Sequence, residues 1–207
     1  MSSQKTALII IDVQNDFCPD GALAVGDGDG VVAPINEMIA RSEQIVLTQD
    51  WHPSDHMSFA SQHQDGAAFT QIDMPYGAQT LWPDHCVQGT AGADFHSALR
   101  TDEANLILRK GTNPKIDSYS AFFENDQETS TGLTGWLGAR GINRLILAGL
   151  ATDYCVAWSA LDAAKLGYDV SVVMPACRAI DLDGSLAAQN ALMHSAGIAL
   201  LDHIPSL

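Results

Sequence analysis

The chain has 207 residues, 46% of them hydrophobic and 17% charged, so it can bury one substantial core within a single domain over residues 1–207 and is not globally disordered. Ten Lys and Arg stand against 25 Asp and Glu, a formal net charge of −15. That field repels nucleic-acid phosphates and anionic membranes, and it sets both aside as partners.

The first apolar run, residues 7–11, predicts a buried strand. With Val13 the run reaches only seven residues, and Asp12 interrupts it, so it is too short for a secretory or membrane-spanning segment. The expected location is cytoplasmic. Cys18, Cys86, Cys155 and Cys177 are widely scattered and are expected to stay reduced. Residues 31–41 place Val31, Ile35, Met38 and Ile39 at helical spacing. Residues 44–48 (QIVLT) form the next strand. The rhythm then breaks, and an insert of about 51–104 carries five of the seven histidines (His52, His56, His63, His85 and His96) with Trp51 and Trp82. Long irregular segments inside compact domains are usually functional. Strands are expected again at 105–108, 144–148, 169–174 and 198–201. Helices are expected at 130–140, 152–166 and 184–196, closed by Gly141, Gly167 and Gly197.

Six short Val/Ile/Leu-rich strands alternating with helices predict a three-layer α/β/α domain around a central six-stranded, mostly parallel sheet. In such sheets the carboxyl ends of the strands carry the chemistry. The first strand ends in Asp12, a carboxylate that is costly to bury without a partner. The second ends in Asp50, with His52 two residues on and able to face the same way. His56 and His85 follow in the insert. Mixed oxygen and nitrogen donors of this kind suit zinc, manganese or iron. Lys110 follows the third strand and is placed to neutralise Asp12. Taken singly, Asp12 reads as a loop residue, the Asp-x-His pair as a surface coincidence and Lys110 as the start of a turn. The fourth strand leads through GLATDYC to Cys155, in the first turn or so of a helix with Thr152 or Asp153 as its cap. That position is expected to lower the thiol pKa and to offer free N–H groups to an oxyanion. A small buried structural cysteine is the competing reading. Cys18 and Cys86 fall in loops beside the proposed site, and Cys177 reads as structural. Phe17 and Trp82 are candidates to sandwich a flat ring, and Leu23 and Tyr119 join them as candidate pocket residues.

These residues sit in LIIIDVQNDFCPDGALAV (8–25), TQDWHPSDHMSFAS (48–61), LWPDHCVQGTAGADFH (81–96), RKG (109–111) and AGLATDYCV (148–156). The set, in this order and over most of the chain, resembles the nicotinamidase branch of the isochorismatase-like cysteine hydrolases. The resemblance implies a catalytic triad of Asp12, Lys110 and Cys155. It implies one divalent metal, zinc first with iron or manganese as alternatives, on Asp50, His52 and His85. His56 aligns with an additional ligand of some members. It also implies a cis peptide before Ala151, whose N–H joins that of Cys155 in an oxyanion hole. The implied activity is hydrolysis of a linear amide: nicotinamide to nicotinate and ammonia through a cysteine thioester, with pyrazinamide as a second substrate and NAD salvage as the role. Three alternatives remain open: a metal-free relative acting on isochorismate or a carbamoyl compound, a zinc hydrolase with an inert Cys155, and a binding module without activity. Self-association into a homo-oligomer is left open.

Overall fold

The run TALIII forms strand β1 (Thr6–Ile11), buried from Ala7 onward, as a strand covered on both faces must be. The structure, a computed structural model, describes residues 5–206. The chain continues through helix α1 (Val32–Ile39), strands β2 (Ile45–Asp50), β3 (Gln71–Met74), β4 (Gly77–Thr80) and β5 (Leu106–Lys110), and helix α2 (Leu133–Arg140). It closes with β6 (Arg144–Leu150), α3 (Ala157–Lys165), β7 (Asp169–Arg178), α4 (Ser185–Ser195) and β8 (Ala199–Leu201). Among the described residues, no helix is long and apolar enough to cross a membrane.

Six strands form one sheet in the order β5-β2-β1-β6-β7-β8, every pairing parallel. From β1 the chain steps outward to β2 and β5, then returns to the other side of β1 for β6. The direction of winding therefore reverses between β1 and β6, and a crevice at such a switch point is where open α/β sheets bind ligands. Register brings the functional ends level: Ile11 pairs with Gly149, and Asp50 pairs with Lys110. Gly149 is required there, because a Cβ on it would run into the Ile11 backbone.

Three expectations are corrected. The insert is not wholly irregular: β3 and β4 pair as an antiparallel hairpin. Their short, half-exposed strands mix Gln, Asp and Gly with apolar residues and give little periodic signal. Strand β7 runs on to Arg178 past Pro175. The pairing with β6 jumps from Leu147↔Val172 to Gly149↔Cys177, and a bulge absorbs the proline that cannot donate to a ladder. Residues 152–166 are not one regular helix either. Thr152–Val156 form a single π-helical turn before α3, with Val156 N–H donating to Ala151 O at 3.1 Å.

Candidate active site

Four strand ends converge on the crevice. Asp12 leaves β1 with a left-handed φ of 49° and is fully buried. Its Oδ1 accepts a 2.6 Å hydrogen bond from Thr48 Oγ1, and its Oδ2 forms a 2.9 Å ion pair with Lys110 Nζ. Oδ2 receives no well-aligned hydrogen bond among the described residues. Lys110 Nζ also donates to Asp50 Oδ1 and to Ser118 O (2.7 Å), and it lies 3.4 Å from Cys155 Sγ. The Asp12, Asp50 and Cys155 donor atoms lie within 4.8 Å of one another. The predicted triad is thus one contact cluster around a buried ammonium.

The electrostatics follow from that burial. Desolvation raises the Asp12 carboxyl to about 6, against the pull of Lys110. Burial also works against charge on Lys110, but Asp12 and Asp50 outweigh it and hold the ammonium's pKa well above its usual value. The Cys155 thiol departs from expectation. Burial pushes it well above the ordinary thiol range, although Lys110 opposes this. The nucleophile starts as a neutral thiol in a dry site, and a carboxylate beside it is ionised at neutral pH. Asp153 does not cap the turn that carries Cys155. Its carboxylate instead accepts from Ile180 N–H (3.0 Å), Asp181 N–H (2.8 Å) and Ser185 Oγ, tying that turn to the segment before α4 and to the first residue of that helix.

A second cluster shares Asp50. Its Oδ2 lies 3.7 Å from His52 Nε2 and 4.0 Å from His85 Nε2, and the donor atoms of the three residues fall within 4.8 Å of one another. His52 Nδ1 is bonded to Gly111 O (2.9 Å) and His85 Nδ1 to Pro83 O (2.8 Å). A backbone carbonyl accepts only a donated proton, so each ring carries a proton on Nδ1 and turns Nε2 to the shared point. Burial opposes charge on His52, but Asp50 outweighs it and raises that imidazole. Gly111 has a φ of 64°, and any side chain on it would strike the His52 ring. His85 is held down to about 4 by burial and by His52, which keeps it neutral. Burial works against a charge on Asp50 as well, yet Lys110 and His52 hold its carboxyl well below the usual range. Two imidazoles and a carboxylate are a fitting donor set for a divalent ion, whose binding would displace the proton that Asp50 favours on His52. His56 stands at the edge. Its ring centroid is 4.3 Å from that of His52, Nδ1 bonds Ser58 Oγ (2.7 Å), and buried Nε2 has no partner among the described residues. It groups with His52 and Asp117 rather than with Asp50 and His85. His63 turns away, bonding Met57 O at 2.7 Å.

A narrow pocket lies over these groups. Cys155, Ala151, Asp50 and His85 border it, as do all four predicted pocket residues, Phe17, Leu23, Trp82 and Tyr119. The Leu150–Ala151 peptide is cis. Trp82 Nε1 donates to Tyr119 hydroxyl at 3.1 Å, which fixes the plane of the indole. Cys18 and Cys86 do not border this pocket: Cys18 lines a separate surface cleft, and Cys86 N–H donates to Asp16 Oδ2 at 2.7 Å. A larger cleft of about 660 Å³ opens at the amino end of the sheet between Lys5, Arg41 and Arg140, away from all of these groups.

Sequence reasoning passed over Asp117, Tyr154 and Ile180, which complete the wall, and Gln14 and Thr48, which lie beneath it. Gln14 is fully buried. Its amide donates to Asp50 O and accepts from Asp50 N–H, each at 2.8 Å. The available signal was two polar residues set into buried apolar stretches, Gln14 two residues after Asp12 and Thr48 two before Asp50.

Residues 6–203 match the isochorismatase domain family. The chain is 52% identical over 184 residues to the nicotinamidase of Acinetobacter baylyi, covering 89% of this chain and 86% of that one. It superposes on a solved nicotinamidase/pyrazinamidase of Acinetobacter baumanii with a TM-score of 0.95 at 49% identity, covering 97% of each chain. A pyrazinamidase of Pyrococcus horikoshii, solved in complex with zinc, matches with a TM-score of 0.77 at 34% identity, covering 96% of this chain and 99% of that one.

Proposed function

The chain belongs to the isochorismatase family, and we propose that it is the family's hydrolase for nicotinamide, releasing nicotinate and ammonia through a thioester on Cys155. The observation that carries this reading is the meeting of the Cys155 thiol, the Asp12 carboxyl and the buried Lys110 amine under an aromatic pocket, beside an imidazole–carboxylate cluster. Substrate choice draws support from the named activities of the relatives, which also make pyrazinamide a second substrate. We place the activity in the cytoplasm, serving NAD salvage, with all 207 residues acting as one catalytic domain.

The steps follow from the geometry. Asp12 Oδ2 takes the thiol proton as Cys155 Sγ attacks the amide carbonyl carbon. Lys110 keeps its charge throughout and stabilises the anionic partners on either side of it. The carbonyl oxygen, now an anion, is received by the backbone N–H groups of Ala151 and Cys155. Asp12 returns its proton to the departing nitrogen, the C–N bond breaks, and ammonia leaves a thioester. Asp12 then takes a proton from water as its oxygen attacks the thioester. Nicotinate leaves, and the proton returns to sulfur. Asp50, His52 and His85 would hold the divalent ion, with His56 as an outer donor. We propose zinc, on the mixed nitrogen and oxygen donors and the zinc-bound archaeal relative; iron or manganese suit the same set. A divalent ion held there would supply a Lewis-acidic site for the ring nitrogen of the substrate.

The test is ammonia release from nicotinamide, pyrazinamide and a carbamoyl acid, and C–O cleavage of an isochorismate-type ether, for the native enzyme and Cys155→Ala. Turnover of the two aromatic amides, abolished in the variant while metal content is retained, is the expected result. A preference for the carbamoyl acid, or near-native turnover by Cys155→Ala, refutes the reading.

A further inference from the structure

We propose that Thr48 is a positioning residue that dedicates one oxygen of Asp12, Oδ2, to the proton transfers of the reaction. The inference rests on the reading of Asp12 as proton carrier and adds how that carboxylate is held. Asp12 lies past the end of β1, and no strand pairing fixes its side chain. A carboxylate there would rotate to present both oxygens to the Lys110 ammonium. Thr48 prevents this in a specific way. Its hydroxyl accepts the Asp12 backbone N–H at 3.2 Å and donates to Asp12 Oδ1 at 2.6 Å. With one lone pair engaged by the backbone N–H, the single hydroxyl proton is directed at the carboxylate.

The support is rigid. Thr48 is fully buried on β2, which lies between β1 and β5 and pairs with both, and a β-branched side chain on a strand is stiff at χ1. Thr48 and Asp50 are two apart on that strand and share a face. β2 therefore supplies the group that orients the base and also the second carboxylate that grips Lys110. Oδ1 is engaged by the Thr48 hydroxyl, so Oδ2, paired with Lys110 Nζ at 2.9 Å, is the oxygen without a hydrogen-bond donor among the described residues, and the carboxylate lies within 4.8 Å of the Cys155 sulfur. Removing the hydroxyl frees the carboxylate to turn and leaves Oδ1 without its donor in a dry site.

The experiment compares Thr48→Val, which keeps shape and loses the hydroxyl, with Thr48→Ser, which keeps the hydroxyl, and with Asp12→Asn. Steady-state kcat and KM for nicotinamide are measured with metal content. Thr48→Val is expected to lose roughly ten- to a hundredfold in kcat, the scale of a hydrogen bond to a charged group, with KM and metal content close to native. Thr48→Ser is expected to restore most of the loss. If Thr48→Val does not fold, Thr48→Ala removes the same hydroxyl and is judged by the same split. A kcat within about twofold of native in the hydroxyl-free variant, beside an inactive Asp12→Asn, overturns the positioning role and leaves the proton carrier standing; the twofold line lies well below the expected loss. Equal damage from Ser and Val, or a loss carried by KM or metal content, also overturns it. Native turnover by Asp12→Asn sinks the underlying reading instead.

Discussion

Lys110→Met keeps most of the buried stem and deletes the ammonium. In the native protein Nζ contacts Asp12, Asp50, Ser118 O and Cys155 Sγ. Without it, two carboxylates with oxygens within 4.8 Å of each other face one another in a dry site. At an effective dielectric of about 20, that repulsion is about 3.5 kcal/mol. Breaking a buried ion pair by removing one partner typically costs about 3–5 kcal/mol. The two figures describe one effect and agree. Metal-free Lys110→Met is therefore expected to unfold roughly 6–20 °C below the native protein at neutral pH, at the sensitivity usual for a chain of this size. The pH dependence carries the diagnosis. The Asp12 pKa is already raised from 3.8 in the unfolded reference to about 6 in the fold, and losing Lys110 raises it further. The folded state then binds more protons than the unfolded chain, so the variant gains stability as pH falls from neutral toward about 4. That gain begins at higher pH and is larger than in the native protein. The assay is thermal unfolding in chelator across this range. A native Tm at pH 7 with an unchanged pH profile would falsify the account of Lys110 as the charge that keeps both carboxylates buried.

Three further outcomes follow from the same geometry. Because Asp12 must be ionised to accept the thiol proton, kcat/KM for nicotinamide is expected to fall on the acid side with a midpoint near 6; a profile flat to pH 5 contradicts this. His85→Ala removes one of two imidazoles facing Asp50 and is expected to lower metal content after dialysis by at least about tenfold, with the far-UV spectrum unchanged. Native stoichiometry would show that the ion sits elsewhere. Tyr119→Phe deprives Trp82 Nε1 and Gln79 Nε2 of an acceptor. KM should rise about two- to tenfold, the equivalent of one ordinary hydrogen bond, with a smaller change in kcat. A native KM would mean that the indole is held by packing alone.

The local pattern of the chain determined a great deal. All six strands of the main sheet and most of the helices between them follow from apolar runs and glycine stops: burial on two faces imposes a continuous apolar run on the inner strands, and the half-exposed edge strands β5 and β8 are short apolar runs as well. The positions of Asp12, Asp50, Lys110 and Cys155 after strands were legible for the same reason. Their convergence was not, since it depends on the order β5-β2-β1-β6, which brings together residues as far apart along the chain as Asp12 and Lys110 or Asp12 and Cys155. Tertiary structure also decided the protonation state. A helix start suggested a lowered thiol pKa for Cys155, but desolvation acts through everything packed around the sulfur and reverses the sign. In the same way, Thr48 is an ordinary strand residue by sequence. Only its neighbour across the β1–β2 pairing turns its hydroxyl toward one oxygen of Asp12. Propensity and periodicity act within a few residues along the chain, whereas the choice of oxygen, proton and donor is made by contacts between strands.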